Sequence, residues 1–215
     1  MLIRAMTVGS MACCCYLVIC EETREAVIID PGGEEDRILA QCEKDKAKVK
    51  YIVNTHGHPD HVSGNGRIKD ATGALIVMHE DDVAFFEKPE VEQYFSVLGL
   101  TPSPPVDKKV RDDDLISFGK ENLKVILTPG HTPGGVCLYS SPDLFTGDTL
   151  FVGGVGRTDF PGGDGKVLYN SINNRLLVLP DETVVWPGHG YGGANSTIGE
   201  EKRSNPFLRD TFWAR

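Results

Sequence analysis

The chain has 215 residues, which is enough for one substantial domain with a well-buried core. Its hydrophobic content of 40% and charged content of 25% are ordinary for a globular protein and exclude a disordered or fibrous one. The net charge of -9 argues against nucleic acid as a partner, because phosphate binding requires clustered Lys and Arg. No segment reaches the roughly 18 apolar residues that would span a bilayer. We therefore expect a single domain over residues 1–215, without a nucleic-acid or membrane partner.

The first half of the chain alternates strand and helix patterns. The segments MACCCYLVIC and AVIIDPGG predict two strands joined by the polar connection EETRE. Hydrophobic periodicity then predicts, in chain order, a helix over 34–46, a strand over 49–54, a helix ended by Gly73, a strand over 74–78, and helices around 83–86 and 91–98. The proline-rich loop TPSPP follows, and strand patterns resume after it, so it is predicted to be a loop within one domain.

The second half repeats this plan. Strands are predicted over 123–128, 135–140, 143–148 and 183–186, and a helix over 166–179. Because each half gives strands followed by helices, we expect an α/β fold in which two sheets pack together with helices outside.

The six cysteines contain no CxxC pair: Cys13, Cys14, Cys15, Cys20, Cys42 and Cys137. Neighbours in a strand point to opposite faces, so a metal-binding or redox motif is not expected from the run of three. They are interpreted as small buried hydrophobic residues in a reducing compartment. The SMAC sequence before Cys13 resembles a lipoprotein cleavage site only loosely, since Arg4 interrupts the short apolar stretch. A cytoplasmic protein is the expectation.

Histidine is concentrated in one short segment. NTHGHPDHVSG, residues 54–64, holds three of the six histidines of the chain, together with Asp60. Two further histidines follow predicted strands and are flanked by glycine and proline, His131 in TPGHT and His189 in WPGHG, and Asp148 follows another strand in FTGD. Loops at strand ends usually hold functional groups on a rigid scaffold. Four such loops can meet at one edge of a sheet sandwich and bring five imidazoles and two carboxylates together.

Neutral imidazole and carboxylate suit a pair of divalent metal ions, with zinc expected first and iron or manganese as alternatives. In the favoured hypothesis one set of side chains binds the first metal, a second set binds the other, and one carboxylate bridges them. The sets are His56, His58 and His131; Asp60, His61 and His189; and the bridging Asp148. Two divalent ions would outweigh the negative groups and leave a small positive charge for an anionic transition state.

Each of these residues also has a structural explanation. A single histidine beside glycine is more often a hydrogen-bonding loop residue than a ligand, and His79 in VMHEDD is interpreted as a structural residue at a helix start. For the other five histidines, that explanation requires several independent coincidences. The GxGxxG pattern that begins at Gly188 is rejected as a dinucleotide motif, because too few residues follow it for a βαβ unit.

Taken together, these motifs resemble the metallo-β-lactamase superfamily over essentially the whole chain. The matching segments are THGHPDH, PGHT, TGD and PGHG, and the segments FTGDTLFVGGVGRTDFPGGD and STIGEEKRSNPFL narrow the resemblance to the glyoxalase II-like branch. The resemblance implies a four-layer αββα sandwich with a metal site along one edge of the sheets, and it implies the ligand assignment given above.

The resemblance implies a metal-dependent hydrolase of glutathione-type thioesters, which uses a metal-bound hydroxide oriented by Asp60 as the catalytic residue. Full-length glyoxalase II proteins carry a C-terminal helical domain that helps to bind glutathione, whereas this chain continues for only 26 residues after His189. A more open pocket, or one completed by another subunit of a homo-oligomer, is therefore expected. Arg157 and Tyr191 are candidate contacts for the thiol-derived substrate, since guanidinium matches carboxylate. A structural salt bridge is the alternative for Arg157.

The persulfide dioxygenases are a second resemblance, through GRTDF, Tyr191 and STIGEEKR. In that group the residues matching His56, His131 and Asp148 hold a single iron. Pro59 and Pro161 favour the hydrolases, while Tyr191 and the GYGGAN segment favour the dioxygenases, and the hydrolase is ranked first. A metal-binding module without catalysis is the third alternative.

Overall fold

A computed structural model describes residues 1–208 of the chain and contains two six-stranded sheets and a short two-stranded ribbon. The first sheet contains β1 (Leu2–Val8), β2 (Cys13–Ile19), β3 (Glu25–Ile29), β4 (Lys48–Val53), β5 (Leu75–His79) and β6 (Lys108–Val110). The second contains β7 (Leu115–Phe118), β8 (Glu121–Leu127), β9 (Val136–Ser140), β10 (Asp143–Gly147), β13 (Val184–Pro187) and β14 (Ser196–Thr197). The ribbon pairs β11 (Leu150–Phe151) with β12 (Gly154–Val155).

The strand order places the two halves of the chain in separate sheets. The first sheet runs in the order β1-β2-β3-β4-β5-β6, antiparallel up to β3 and parallel from β3 onward. The second runs in the order β14-β13-β10-β9-β8-β7, and its one parallel pair is β10 with β13. Each half of the chain therefore builds one sheet, as the sequence predicts.

Helices lie between and after the strands: α1 (Glu35–Lys44), α2 (Pro59–Val62), α3 (Asn65–Thr72), α4 (Glu80–Phe86), α5 (Pro89–Ser96), α6 (Gly165–Ser171) and α7 (Ile198–Ser204). A π-helix, Ile172–Leu176, extends α6, and a 3₁₀ turn, Pro206–Leu208, follows α7. Gly73 ends α3 in the left-handed conformation, at φ 71°, as expected. Among the described residues, no helix is long and apolar enough to cross a membrane.

The two sheets pack face to face through a shared apolar core. Alternate residues of β2, Cys14, Tyr16 and Val18, face this core, where they meet Phe118 and Phe145 of the second sheet. The intervening residues of β2 point the other way, because side chains alternate across a strand. The run of three cysteines is thus divided between two faces of one buried strand.

A helical layer covers the outer face of each sheet. Cys13, Cys15 and Leu17 pack with Ile38 of α1 and Ile68 of α3. On the opposite side of the molecule, an equivalent core joins Leu144 and Val185 to Leu168, Ile172 and Leu176 of the α6 and π-helix segment. The predicted four-layer αββα sandwich is confirmed. All six cysteines are buried and free, in agreement with their interpretation as core residues.

Several elements differ from the sequence-based expectations. Strand β1 and the short strands β6, β7, β11, β12 and β14 are not predicted, and the helix predicted over 166–179 is an α-helix that passes into a π-helix. His79 caps α4 by accepting a hydrogen bond from the Asp81 amide at 3.2 Å, which confirms its structural interpretation. The prediction of one domain over residues 1–215 includes residues 209–215, which lie outside the described residues.

Candidate metal centre

Four strands of the sandwich deliver polar loops to one edge of the two sheets. The histidine-rich segment follows β4, His131 follows β8, Asp148 follows β10 directly, and His189 follows β13. All seven residues named by the sequence come together there. Each of the five histidines is no more than 4% exposed, so the polar groups meet in a largely dry environment.

The first set of donors is His56, His58 and His131. One ring nitrogen from each of the three histidines lies within 4.8 Å of the others. The closest pair is His131 Nε2 and His58 Nδ1, at 2.9 Å. Three imidazole nitrogens this close together are suited to binding a transition-metal ion.

The second set is Asp60, His61 and His189, whose donor atoms also lie within 4.8 Å of one another. His189 Nε2 is 3.2 Å from Asp60 Oδ2 and 3.3 Å from His61 Nε2. The short helix α2 makes this possible, since Asp60 and His61 lie in a single turn that begins at Pro59. Proline is favoured at the first helical position, so the sequence itself favours the turn there.

Asp148 lies between the two sets. Its Oδ1 is 3.4 Å from His61 Nε2, and its Oδ2 is 3.6 Å from both His131 Nε2 and His189 Nε2. One carboxylate therefore approaches both sets of donors at once. This is the position that a bridging ligand would occupy.

Unpaired polar atoms support a cation at this place. Among the described residues, four buried side-chain polar atoms have no hydrogen-bond partner, and three belong to this cluster: His56 Nε2, His58 Nε2 and Asp148 Oδ1. An unsatisfied buried polar group is costly, so its presence calls for an explanation. A divalent cation would satisfy the imidazole nitrogen of His56 and the oxygen of Asp148.

The protonation states also suit a metal. Burial lowers the pKa values of His56, His58 and His131 below the ordinary histidine value, which keeps these imidazoles neutral. Although burial acts in the opposite direction, His61 and His189 hold the pKa of Asp60 below its usual range. Metal ligands must be neutral imidazoles and ionised carboxylates, and these four residues have the required forms. His61 differs: although burial acts in the opposite direction, Cys13 and the neighbouring carboxylates raise its pKa well above the ordinary histidine value, so a metal would have to displace its proton.

A further buried carboxylate, Asp30, supports the second set. Its oxygens accept hydrogen bonds from the Thr55 amide at 2.7 Å and the Thr55 hydroxyl at 2.6 Å, and its Oδ2 lies 3.0 Å from His61 Nδ1. Asp30 also lies within a possible ligand group with His56 and His61. Because its oxygens are engaged in this way, Asp30 orients His61 so that Nε2 faces Asp60 and His189, and it does not itself act as a ligand.

These motifs and this geometry match a known family. A family model for the metallo-beta-lactamase superfamily matches residues 9–189, which include all seven donor residues. The chain belongs to the metallo-beta-lactamase superfamily. The fold and the clustered donors together support a site for divalent metal ions.

Two similar members of the superfamily differ in activity. The chain is 39% identical over 195 residues to the hydroxyacylglutathione hydrolase GloC of Haemophilus influenzae, covering 89% of this chain and 91% of that protein. It is 36% identical over 197 residues to the mitochondrial persulfide dioxygenase ETHE1 of Homo sapiens, covering 90% of this chain and 70% of that protein. The predicted resemblance to the superfamily and to both branches is confirmed.

A solved member of the superfamily carries a metal pair. The crystal structure of TTHA1623 in a di-iron-bound form is 36% identical to this chain, with a TM-score of 0.82, and the match covers 95% of this chain and all of that one. Two iron ions are therefore bound by a protein of the same fold and nearly the same extent.

In the present chain, a group of phenylalanine rings lies next to the first set of donors. The His58 ring contacts Phe86, Phe95 and Phe160, with centroid distances of 5.4, 4.9 and 5.6 Å. Phe160 comes from the GRTDF segment, in which only Arg157 is a predicted site residue. These rings give the centre one apolar side, next to the position of the first metal.

The two predicted substrate contacts lie at the rim. The Arg157 guanidinium is 3.8 Å from the Phe160 ring centroid and forms a bidentate ion pair with Asp159, at 2.7 and 2.6 Å. Its carbonyl oxygen accepts a hydrogen bond from His131 Nδ1 at 2.6 Å, so the residue orients a metal donor through its main chain. Tyr191 is 74% exposed and stacks on His189 with a centroid distance of 5.0 Å. Their substrate contacts stay predictions.

Proposed function

We propose that the protein is a metal-dependent hydrolase that cleaves glutathione-type thioesters. The observation that carries this proposal is the pair of donor sets with one carboxylate, Asp148, within 3.6 Å of histidines from both. A paired centre is suited to hydrolysis, because one position serves the nucleophile and the other the carbonyl oxygen. The hydroxyacylglutathione hydrolase relative from Haemophilus supports the same substrate class, and 91% of its length is matched.

Two bound divalent cations would supply the chemistry by lowering the pKa of water from 15.7 toward about 7 and by polarising a carbonyl. The protein's own residues orient these groups. Asp60 Oδ2 lies 3.2 Å from His189 Nε2 within the second set. In our proposal, the other carboxylate oxygen of Asp60 accepts a hydrogen bond from the attacking water. A carboxylate oriented in this way directs the water toward the carbonyl carbon of the substrate.

The leaving group needs no dedicated acid. A thiol of the cysteine type has a pKa near 8.5, so a glutathione thiolate is stable enough to depart near neutral pH. Arg157 lies beside Phe160, and Tyr191 lies beside His189. We propose that they contact the glutathione part of the substrate, with Arg157 exchanging its partner Asp159 for a substrate carboxylate.

A persulfide dioxygenase is the second candidate. His56, His131 and Asp148 lie close together, with the two imidazole centroids 4.8 Å apart and His131 Nε2 3.6 Å from Asp148 Oδ2. Two histidines and one carboxylate on one face suit a single iron with open positions for oxygen and substrate. The human relative supports this reading at nearly the same identity as the bacterial hydrolase.

Metal analysis with two parallel assays on the purified protein tests these candidates. We expect two metal ions per chain, hydrolysis of a hydroxyacylglutathione thioester, and no oxygen uptake with glutathione persulfide. Asp60→Asn should reduce kcat by about 10²–10⁴-fold, the usual contribution of an oriented acid–base group. The matched control is Asp36→Asn, since the Asp36 side chain is 86% exposed on the surface. One iron per chain with oxygen uptake, and no hydrolysis, would refute the proposal in favour of the dioxygenase.

A further inference from the structure

A fully buried carboxylate outside the donor set, Asp82, binds two of the metal loops. It lies in the first turn of α4 and has no exposed surface. Its Oδ2 accepts hydrogen bonds from the Gly57 amide and the Thr132 hydroxyl, both at 2.9 Å, and its Oδ1 accepts one from the Gly134 amide at 2.6 Å. Three donors thus converge on one side chain.

Two of these hydrogen-bond donors are neighbours of predicted metal ligands in the sequence. Gly57 lies between His56 and His58, and Thr132 directly follows His131. All three histidines belong to the first set, whose nitrogen atoms lie within 4.8 Å of one another. Asp82 therefore connects the two segments that supply this set, although they are more than 70 residues apart in the chain.

Close packing against α4 reinforces the connection. A Cβ atom on Gly134 would lie 2.3 Å from the Asp82 amide nitrogen, and one on Gly57 would lie 2.3 Å from the Phe86 ring. Both loops therefore need glycine to lie directly against the helix. With both loops seated on the same short helix, a small movement of α4 would change the separation of the donor atoms.

The hydrogen bonds to Asp82 come from neutral groups, without a cationic partner among them. Burial raises the pKa of Asp82 to about 6, so the ionised carboxylate is held in an unfavourable environment. An apolar residue here would leave the buried Gly57 and Gly134 amides without an acceptor. The retained carboxylate points to a positioning role that only an acceptor of several hydrogen bonds can fill.

We propose that Asp82 is a positioning residue for the first metal position, and that it sets the affinity of the ion held by His56, His58 and His131. The second position has its own support, because Asp30 orients His61 from the end of β3. Loss of Asp82 should therefore weaken one ion and spare the other. This role of Asp82 in metal binding is the same whether the reaction is hydrolysis or oxygenation, because metal affinity is measured without substrate.

Competitive metal titration of Asp82→Asn tests the proposal without any substrate. The amide nitrogen of asparagine cannot accept a hydrogen bond, so at least one loop loses its acceptor whichever way the side chain turns. We expect the dissociation constant of one ion to rise by about 10–100-fold, which is typical for partners of metal ligands, while the second ion changes by less than about threefold.

The matched control is Asp81→Asn. Asp81 neighbours Asp82 in the first turn of α4, but its side chain is 57% exposed. Both changes remove a negative charge near the same helix N-terminus, but only Asp82 is buried and in contact with the metal loops. Asp81→Asn should leave both dissociation constants unchanged.

Placing Asp82→Asn in a His189→Ala background identifies the position. His189→Ala removes a donor of the second set, so the remaining ion should lie in the first position, and its dissociation constant should rise by the same factor of about 10–100 when Asp82 is also replaced. Tight binding of both ions by Asp82→Asn would overturn the proposal. Equal weakening of both ions, with a lower Tm of the metal-free protein, would show a merely structural role and would also overturn it.

A milder variant covers the case in which Asp82→Asn does not fold. Thr132→Val removes one of the three hydrogen bonds and retains the shape of the side chain. It should weaken the same single ion by about 3–10-fold, a loss matching one hydrogen bond of about 1 kcal/mol. Unchanged affinity in a folded Thr132→Val protein would count against the proposal.

Discussion

Gly188 lies directly before His189, and its lack of a side chain leaves room for Asp148. A Cβ atom at this position would lie 2.2 Å from Asp148 Oδ1 and 2.8 Å from the Gly147 carbonyl carbon. Gly188→Ala therefore displaces Asp148 by about 1 Å before an acceptable contact is restored. Metal–oxygen distances tolerate only about 0.2 Å, so the shared carboxylate would no longer reach both sets of donors. Overpacking of this kind also costs about 1–3 kcal/mol of stability.

Gly188→Ala should therefore bind less than the wild-type amount of metal and lose about 100-fold in thioester hydrolysis, since a displacement of about 1 Å typically costs that much. Gly190→Ala is a closely matched control, because Gly190 lies on the other side of His189 and its Cβ would meet only Gly193 O, at 3.7 Å. Metal content by mass spectrometry, initial rates and Tm measure both variants. Wild-type metal content and rate in Gly188→Ala would refute the bridging role of Asp148. Equal damage in Gly190→Ala would show that the loop simply does not tolerate alanine.

Three further predictions concern stability. Hydrogen bonding to Arg4 holds the pKa of Asp45 at about 2, so this pair stabilises the fold fully above about pH 4 and the effect is lost as the pH falls through 2. Because Arg4 is 42% exposed, Arg4→Gln should lower the urea midpoint only slightly at pH 7, and by less at pH 2. Tyr16→Phe should cost about 1–3 kcal/mol in calorimetry, because the buried hydroxyl donates to the Pro187 carbonyl at 2.6 Å. Removing metal with a chelator should lower the Tm by about 10 °C, since an ion present at 1,000 times its dissociation constant contributes about 4 kcal/mol; an unchanged Tm would contradict a bound metal.

The donor residues were predictable because their sequence context is unusual. Each predicted donor follows a strand pattern, and parallel or neighbouring strands bring their ends to one edge of a sheet. Asp30 satisfies the same rule, since it ends AVIID before PGG, but an aspartate before proline and glycine is also typical of an ordinary turn. Only the 3.0 Å distance to His61 Nδ1 distinguishes the two interpretations.

Asp82 lacked any comparable signal. It belongs to the sequence HEDD, and acidic residues are common in the first turn of a helix because they interact favourably with its dipole. Asp81 and Asp82 are chemically identical, yet one is largely exposed and the other is fully buried. Which of them faces the metal loops depends on the rotation of α4 about its axis, and the periodicity of a seven-residue helix fixes that rotation poorly.

The missed strand β1 illustrates a second limit. LIRAMTV pairs with β2 along its whole length, but it is an edge strand with Arg4 in the middle, and only Met6 and Val8 among its residues are buried. Its apolar residues do not alternate cleanly, so the strand pattern is weak.

The helix predicted over 166–179 differs from the structure for another reason. Leu168, Ile172 and Leu176 stay on one buried face although the backbone changes to a π-helix, and apolar spacing alone cannot detect that change.

The surroundings of the imidazoles decide what the cluster can do. The carbonyl oxygens of Arg157 and Ala12 can only accept hydrogen bonds, so His131 and His189 carry their protons on Nδ1 and present the lone pair of Nε2 to the centre. Asp30 Oδ2 lies 3.0 Å from His61 Nδ1, so the same ring nitrogen of His61 is engaged and its Nε2 is left facing the centre. A proton relay needs imidazoles that can exchange tautomers, whereas these three are fixed by acceptors from three separate segments. Ring nitrogens held in fixed orientations toward one centre are suited to holding a cation, so the fold itself favours a metal centre over proton transfer along the histidines.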